Sequence, residues 1–227
     1  MASQGAFETD LIPTSSGDLE ILFIGHGSLR LTFAGKRFYI DPFTRVADYT
    51  QLPPADAILL THDHPDHLDP AAIKPIRTGR TTMILTEICA ERVTGGLVMR
   101  NGDRQIDEGV AVEAVPAYNL LHKRENGEPF HPKGQGNGYV FTFADKRVYV
   151  AGDTENIPEM KGLADIECAF LPMNLPYTMT PAMVADAARA FRPRILYPYH
   201  FGQTDVSELG QLLRDEPGIE VRIRKMA

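Results

Sequence analysis

Short runs of apolar and β-forming residues, rather than long amphipathic stretches, fill the first half of the chain. Leu19–Ile24, Ser28–Phe33, Arg37–Ile40 and Ala57–Leu60 are such runs, with Gly25, Gly27, Gly35, Pro42 and Pro53-Pro54 standing between them. That pattern predicts strands closed by turns. Asp69-Pro70 has the form of a helix cap with proline in the first turn, and Pro75 keeps that helix short. Thr82–Leu85, Val110–Pro116, Tyr139–Phe143 and Arg147–Ala151 read as further strands, the last two joined in a hairpin at Ala144-Asp145, and Asp165–Leu171 is another apolar run. Met183, Val184, Ala187, Ala188 and Phe191 then fall on one face of a helix opened by Thr180-Pro181 and stopped before Pro193. Ile195–Tyr199 reads as a strand, Ser207–Arg214 as an amphipathic helix and Ile219–Ile223 as a last strand. Residues 1–18 read as a loose N-terminal lead-in, and 19–227 as one α/β domain. The polar, aperiodic stretch Asn119–Asn137 is the exception, and long loops of that kind tend to be functional.

Composition narrows the class. With 227 residues, 43% of them hydrophobic, the chain can build one core and is not disordered. A net charge of −7 argues against a nucleic-acid partner, which calls for a basic face. No apolar run approaches the roughly 20 residues of a membrane span, and the polar start is unlike a signal peptide. A cytoplasmic protein is expected, with room for a homo-oligomer. Cys89 and Cys168 sit in apolar surroundings and read as small buried hydrophobes.

The chemistry lies in the histidines. Three of the seven fall in Thr61-His62-Asp63-His64-Pro65-Asp66-His67, directly after an apolar run. Imidazole nitrogens and a carboxylate on one tight turn suit Zn²⁺, Fe or Mn²⁺. Their crowding suggests two ions, His62 and His64 on one, Asp66 and His67 on the other. Asp153, after Arg147–Ala151, can bridge two cations, and His200, after Ile195–Tyr199, can complete the second.

His-x-His-x-Asp-His after a short strand resembles the signature of the metallo-β-lactamase superfamily. Ile24-Gly25-His26-Gly27-Ser28, Asp41-Pro42-Phe43, Ala151-Gly152-Asp153-Thr154 and Pro198-Tyr199-His200-Phe201-Gly202 resemble its other strand-end motifs in order and spacing. The likeness spans residues 19–202. It is nearest the branch of predicted metal-dependent hydrolases that includes ascorbate-6-phosphate lactonase and N-acylphosphatidylethanolamine phospholipase D. It implies an αβ/βα sandwich, two mixed sheets face to face with helices outside. It also implies two divalent ions, zinc first, with manganese or iron as alternatives.

One departure stands out. The superfamily's third histidine for the first ion follows the strand equivalent to Val110–Pro116, and here that place holds Asn119. Phe130-His131-Pro132-Lys133-Gly134 resembles an element of this branch, which puts His131 forward as the ligand, with His122 and Asn119 as alternatives. Asp41 is the candidate acceptor for a ligand histidine's free N–H, and His26 a candidate pocket residue.

The implied reaction is hydrolysis of an ester, lactone, amide or phosphodiester of a small molecule by a metal-bound hydroxide, with Asp66 taking or orienting the proton. Lys133, Arg124, Tyr118 and Phe130 are the expected substrate wall, with the cations meeting an anionic group. An iron-dependent redox enzyme such as a sulfur dioxygenase, and a non-enzymatic metal-binding domain, are the competing readings.

Overall fold

The computed structural model describes residues 7–227, so the first part of the expected lead-in lies outside the described residues. Two seven-stranded sheets face each other. The first runs in strict chain order: β1 (Glu8–Thr14), β2 (Gly17–Gly25), β3 (Ser28–Phe33), β4 (Lys36–Ile40), β5 (Ala57–Leu59), β6 (Thr82–Leu85) and β7 (Leu97–Val98). The second comprises β8 (Arg104–Asp107), β9 (Val110–Ala117), β10 (Gly136–Phe143), β11 (Lys146–Val150), β12 (Ile166–Pro172), β13 (Ile195–Tyr199) and β14 (Glu220–Val221), again each beside the next. In both sheets the early strands pair antiparallel and the later ones parallel.

Alternation of side chains across the strands divides the apolar residues into three layers. Leu19, Ile21 and Phe23 of β2 meet Phe141, Phe143, Phe170 and Tyr197 of the other sheet in the central layer. The opposite face of the first sheet packs Leu22, Ile58 and Leu60 against Ile73 and Ile76 of α1 (Pro70–Ile76) and Cys89 of α2 (Glu87–Ala90). The outer face of the second sheet packs Tyr149, Leu171 and Leu196 against α3 (Pro181–Phe191) and Leu209 of α4 (Ser207–Leu212). This is the αβ/βα sandwich the resemblance implied. No helix among the described residues is long and apolar enough to cross a membrane. Burial pushes the Cys89 thiol up to about 11 and the Cys168 thiol up to about 12, so both behave as the buried hydrophobes expected of them.

The loose lead-in is corrected for residues 8–14. This segment pairs with β2 along its whole length, Glu8 opposite Phe23 and Thr14 opposite Gly17. Only Ile12 of it is buried, which is why no apolar pattern announced an edge strand. β10 also begins earlier than expected, at Gly136. A Cβ at Gly138 would stand 2.8 Å from the Ala151 carbonyl oxygen, so the glycine there permits close strand approach rather than marking a turn.

Asp10 fastens β1 to the C-terminal segment. Its carboxylate accepts from Tyr197 Oη at 2.6 Å and from Arg224 Nη2 at 2.7 and 2.8 Å, and Arg222 Nη1 lies 3.3 Å away. Burial alone would raise its pKa, but these donors hold it below the usual carboxylate range. A depressed folded pKa gives stability that is present above the unfolded value, near about 4, and lost as pH falls through the folded one. Asp10→Asn is expected to cost about 1–3 kcal/mol at neutral pH. The difference from wild type should shrink as the medium is acidified below pH ~4, read by denaturant unfolding at several pH values.

Candidate metal centre

The chemistry-bearing residues gather at the C-terminal mouths of strands from both sheets. Asp41 follows β4, the His62–His67 turn follows β5, Asp153 follows β11 and His200 follows β13. Two of these mouths, at Asp41 (φ 44°) and His200 (φ 46°), and the end of β2 at His26 (φ 54°) bend through the left-handed region. Such conformations are unfavourable for residues with a side chain and cluster where function requires them. Gly27 leaves the space they need: a Cβ there would lie 3.0 Å from the His67 ring.

Two overlapping groups of donors result. His62, His64, His131 and Asp153 each bring one ligand atom within 4.8 Å of the others, and so do His67, Asp153 and His200. Asp153 belongs to both. Its Oδ2 is 3.3 Å from His131 Nε2 and 3.8 Å from His200 Nε2, and its Oδ1 is 3.6 Å from His67 Nε2. A third group, His26, Asp66 and His200, adjoins them. Asp66 Oδ2 lies 3.0 Å from His26 Nε2 and 3.3 Å from His200 Nε2.

The free atoms show what the cluster is built to hold. His62 Nε2, His67 Nε2, His131 Nε2 and Asp153 Oδ1 are buried and have no hydrogen-bond partner among the described residues. Orphaned buried polar atoms are costly and rare, and these four fall in the two groups that Asp153 joins. The other nitrogen of each histidine is committed. His67 Nδ1–H donates to Asp41 Oδ2 at 2.8 Å. Thr61 Oγ1 donates to the same Asp41 oxygen at 2.6 Å, so it accepts from His62 Nδ1–H at 2.9 Å. His131 Nδ1–H donates to Asn119 Oδ1 at 2.7 Å. All three rings therefore turn a lone pair inward, the form in which imidazole binds a cation. The residues present fit a bound metal.

Electrostatics agree. Burial and the neighbouring imidazole His67 drive the His62 pKa well down, leaving that ring neutral. Burial also opposes charge on His67, but Asp153, Asp41 and Asp66 around it reverse the sign and lift it to about 10. The carboxylates thus favour positive charge at this spot, which a bound cation would supply in place of a proton. Half-buried Asp66 and buried Asp153 are both kept ionised by the histidines around them. A cavity of about 400 Å³ opens from the cluster, lined by Asp66, His200, Arg124, Phe130, Asn174 and Tyr177 among others. The Phe130 and Tyr177 rings meet edge to face at 5.0 Å, and Arg124 lies over Phe130.

Several expected roles need correction. His122 stands apart from the cluster, its Nδ1 bonded to Glu155 at 2.8 Å. Asn119 offers no ligand atom, because its amide oxygen is taken up by His131. Lys133 and Tyr118 do not face the cavity: Lys133 Nζ pairs with Glu159 at 2.8 Å over the Tyr118 ring, and Tyr118 Oη donates to the same carboxylate at 2.9 Å. Glu159 neutralises that lysine, which sequence spacing did not suggest. Two further contributors went unnoticed, Thr61 between Asp41 and His62, and Glu155, a fully buried carboxylate beneath the loop. The only sign of Glu155 was its place directly after Gly152-Asp153-Thr154.

Residues 20–200 match the family described as Beta-lactamase superfamily domain. The chain belongs to this superfamily. Within it, a UPF0173 metal-dependent hydrolase of Methanopyrus kandleri is 31% identical over 195 residues, covering 81% of this chain and 84% of the relative. That similarity makes the chain a member of the UPF0173 metal-dependent hydrolases. Among solved structures, a Parabacteroides distasonis protein whose metal-dependent hydrolase activity is inferred is 49% identical. It covers 97% of this chain and 100% of its own, with a TM-score of 0.93. A metallo hydrolase of Ignicoccus hospitalis, 22% identical over 91% of this chain and 95% of its own, shares the fold at a TM-score of 0.75. The strand-mouth histidines of this superfamily member thus stand on the scaffold that the sequence motifs implied.

Proposed function

We propose that the protein hydrolyses a small molecule bearing an ester, lactone, amide or phosphodiester, with two divalent ions held by the strand-mouth cluster. The observation that carries this reading is that four unpartnered buried ligand atoms fall in two donor groups joined by Asp153. In the first site His62, His64 and His131 would hold the ion, in the second His67, His200 and Asp66, with Asp153 shared. Bound divalent ions activate water at neutral pH and act as Lewis acids toward carbonyl or phosphoryl oxygen.

The chain's own groups do the rest. Asp66 stays ionised at the cavity wall, where its carboxylate can accept the proton released by the attacking water. His26 Nε2–H donates to Asp66 Oδ2 and fixes its direction. Phe130 and Tyr177 form an apolar wall that orients the substrate, and the Arg124 guanidinium beside them meets an anionic group. Zinc is the first expectation from the nitrogen-rich ligand set.

Purified protein supplied with Zn²⁺ or Mn²⁺ should turn over at least one member of a panel of chromogenic esters, lactones and phosphodiesters, and lose that activity on chelation. Inactivity across the panel with both ions in place would contradict the proposal. Arg124→Ala should raise KM for anionic substrates about 10-fold or more, the worth of a charge-assisted hydrogen bond, and leave neutral ones unchanged. Lys133→Ala should leave KM for both anionic and neutral substrates unchanged, since its ammonium is already paired with Glu159. Equal effects of the two variants would count against this assignment.

A further inference from the structure

We infer that Glu155 is a positioning residue for the first metal site, acting on His131 through the amide of Asn119. The inference rests on the metal-site reading and concerns how its third imidazole is held. Glu155 is completely buried, yet among the described residues it pairs with no lysine or arginine. Its Oε2 accepts from the backbone N–H of Leu120 and Leu121, each at 2.7 Å. Its Oε1 accepts from His122 N at 2.7 Å, His122 Nδ1 at 2.8 Å and Asn119 Nδ2 at 3.0 Å. Five donors around two oxygens leave no room for a proton on this carboxylate.

An amide side chain can lie either way round, and here its surroundings decide. Glu155 and the Tyr177 carbonyl, 2.9 Å from Asn119 Nδ2, are acceptors only, so the amide NH₂ must face them. The amide oxygen is then forced toward His131, where it accepts from the backbone N–H at 2.8 Å and from the ring Nδ1–H at 2.7 Å. With the proton fixed on Nδ1, Nε2 keeps its lone pair and points it into the cluster. Asn119 N also donates to the His131 carbonyl at 2.9 Å, so the two residues are clipped together across the loop. A buried carboxylate two residues beyond Asp153 thus sets the tautomer and direction of a histidine from another loop.

The test is Zn²⁺ binding, measured by competition with a chelating indicator and by metal content per chain, on the full-length protein. Glu155→Gln puts an NH₂ group among donors and frees Asn119 to turn over. It should weaken one of two zinc equivalents about 10–100-fold, as loss of such supporting partners does, and leave the other within about twofold. Adding His131→Ala to Glu155→Gln should cost that equivalent little more than His131→Ala alone, because the two act on the same ligand. His122→Ala removes a Glu155 donor without touching Asn119, and should leave both equivalents unchanged. Should Glu155→Gln fail to fold, Asn119→Ala, which keeps Glu155 on its backbone donors, must show the same selective loss. Both equivalents unchanged, or both weakened alike, in a folded Glu155→Gln or Asn119→Ala protein would overturn the inference. Binding is read without turnover, so inactivity toward every substrate leaves the result intact. A wild type that takes up no zinc would overturn the functional reading and this inference with it.

Discussion

Replacing Asp153 by asparagine is expected to lower turnover by about 10³-fold or more and to reduce metal content in both sites. The change keeps the shape and removes the negative charge shared by both groups of histidines, of which His62, His67, His131 and His200 hold Nε2 3.3–4.0 Å from its oxygens. Charge stabilisation by a metal pair is worth several kcal/mol, and each 1.36 kcal/mol is tenfold in rate. The measurement is kcat on the best substrate found, together with elemental analysis of the same sample. A variant that keeps more than about a tenth of its turnover would show that the shared carboxylate is not what holds the site together.

Asp41→Asn should damage the centre from behind. Asp41 is completely buried and touches no proposed ion, yet it accepts from Thr61 N, Thr61 Oγ1 and His67 Nδ1. An amide NH₂ facing His67 reverses that last hydrogen bond. Nδ1 must then accept, the ring proton moves to Nε2, and the lone pair meant for the cation is lost. Zinc affinity at the second site is expected to fall about 10–100-fold. Stability should drop by about 1–3 kcal/mol, because a buried donor loses its partner. A zinc titration and a denaturant melt read the two effects separately. If stability falls while both zinc affinities stay at the wild-type level, Asp41 is a packing residue and does not orient His67.

How much of this was legible in the chain follows the physical range of each signal. The His62–His67 turn, Asp153 and His200 each sit directly after an apolar strand, so local pattern and residue type were enough to place them at strand mouths. The αβ/βα sandwich came from the likeness of those motifs to a known family, since strand runs alone do not say how two sheets face each other. His131 was favoured over His122 on a local motif, but what separates them is nonlocal: Asn119 turns one ring toward Asp153, and Glu155 holds the other away. Lys133 was misread because its partner Glu159 belongs to a later segment of the chain. β1 was missed because an edge strand with one buried side chain carries no alternation to read. Glu155 had only its place after Gly152-Asp153-Thr154 to mark it, because its donors are mostly backbone N–H groups, which have no sequence signature.

Metal content per chain, measured for the wild type and for His131→Ala with activity followed on both, tests the central claim most directly. The account predicts two divalent ions on the wild type and about one on the variant, with hydrolysis lost when the first-site ion is lost. A wild-type protein that hydrolyses its substrate at full rate with no bound metal would contradict it.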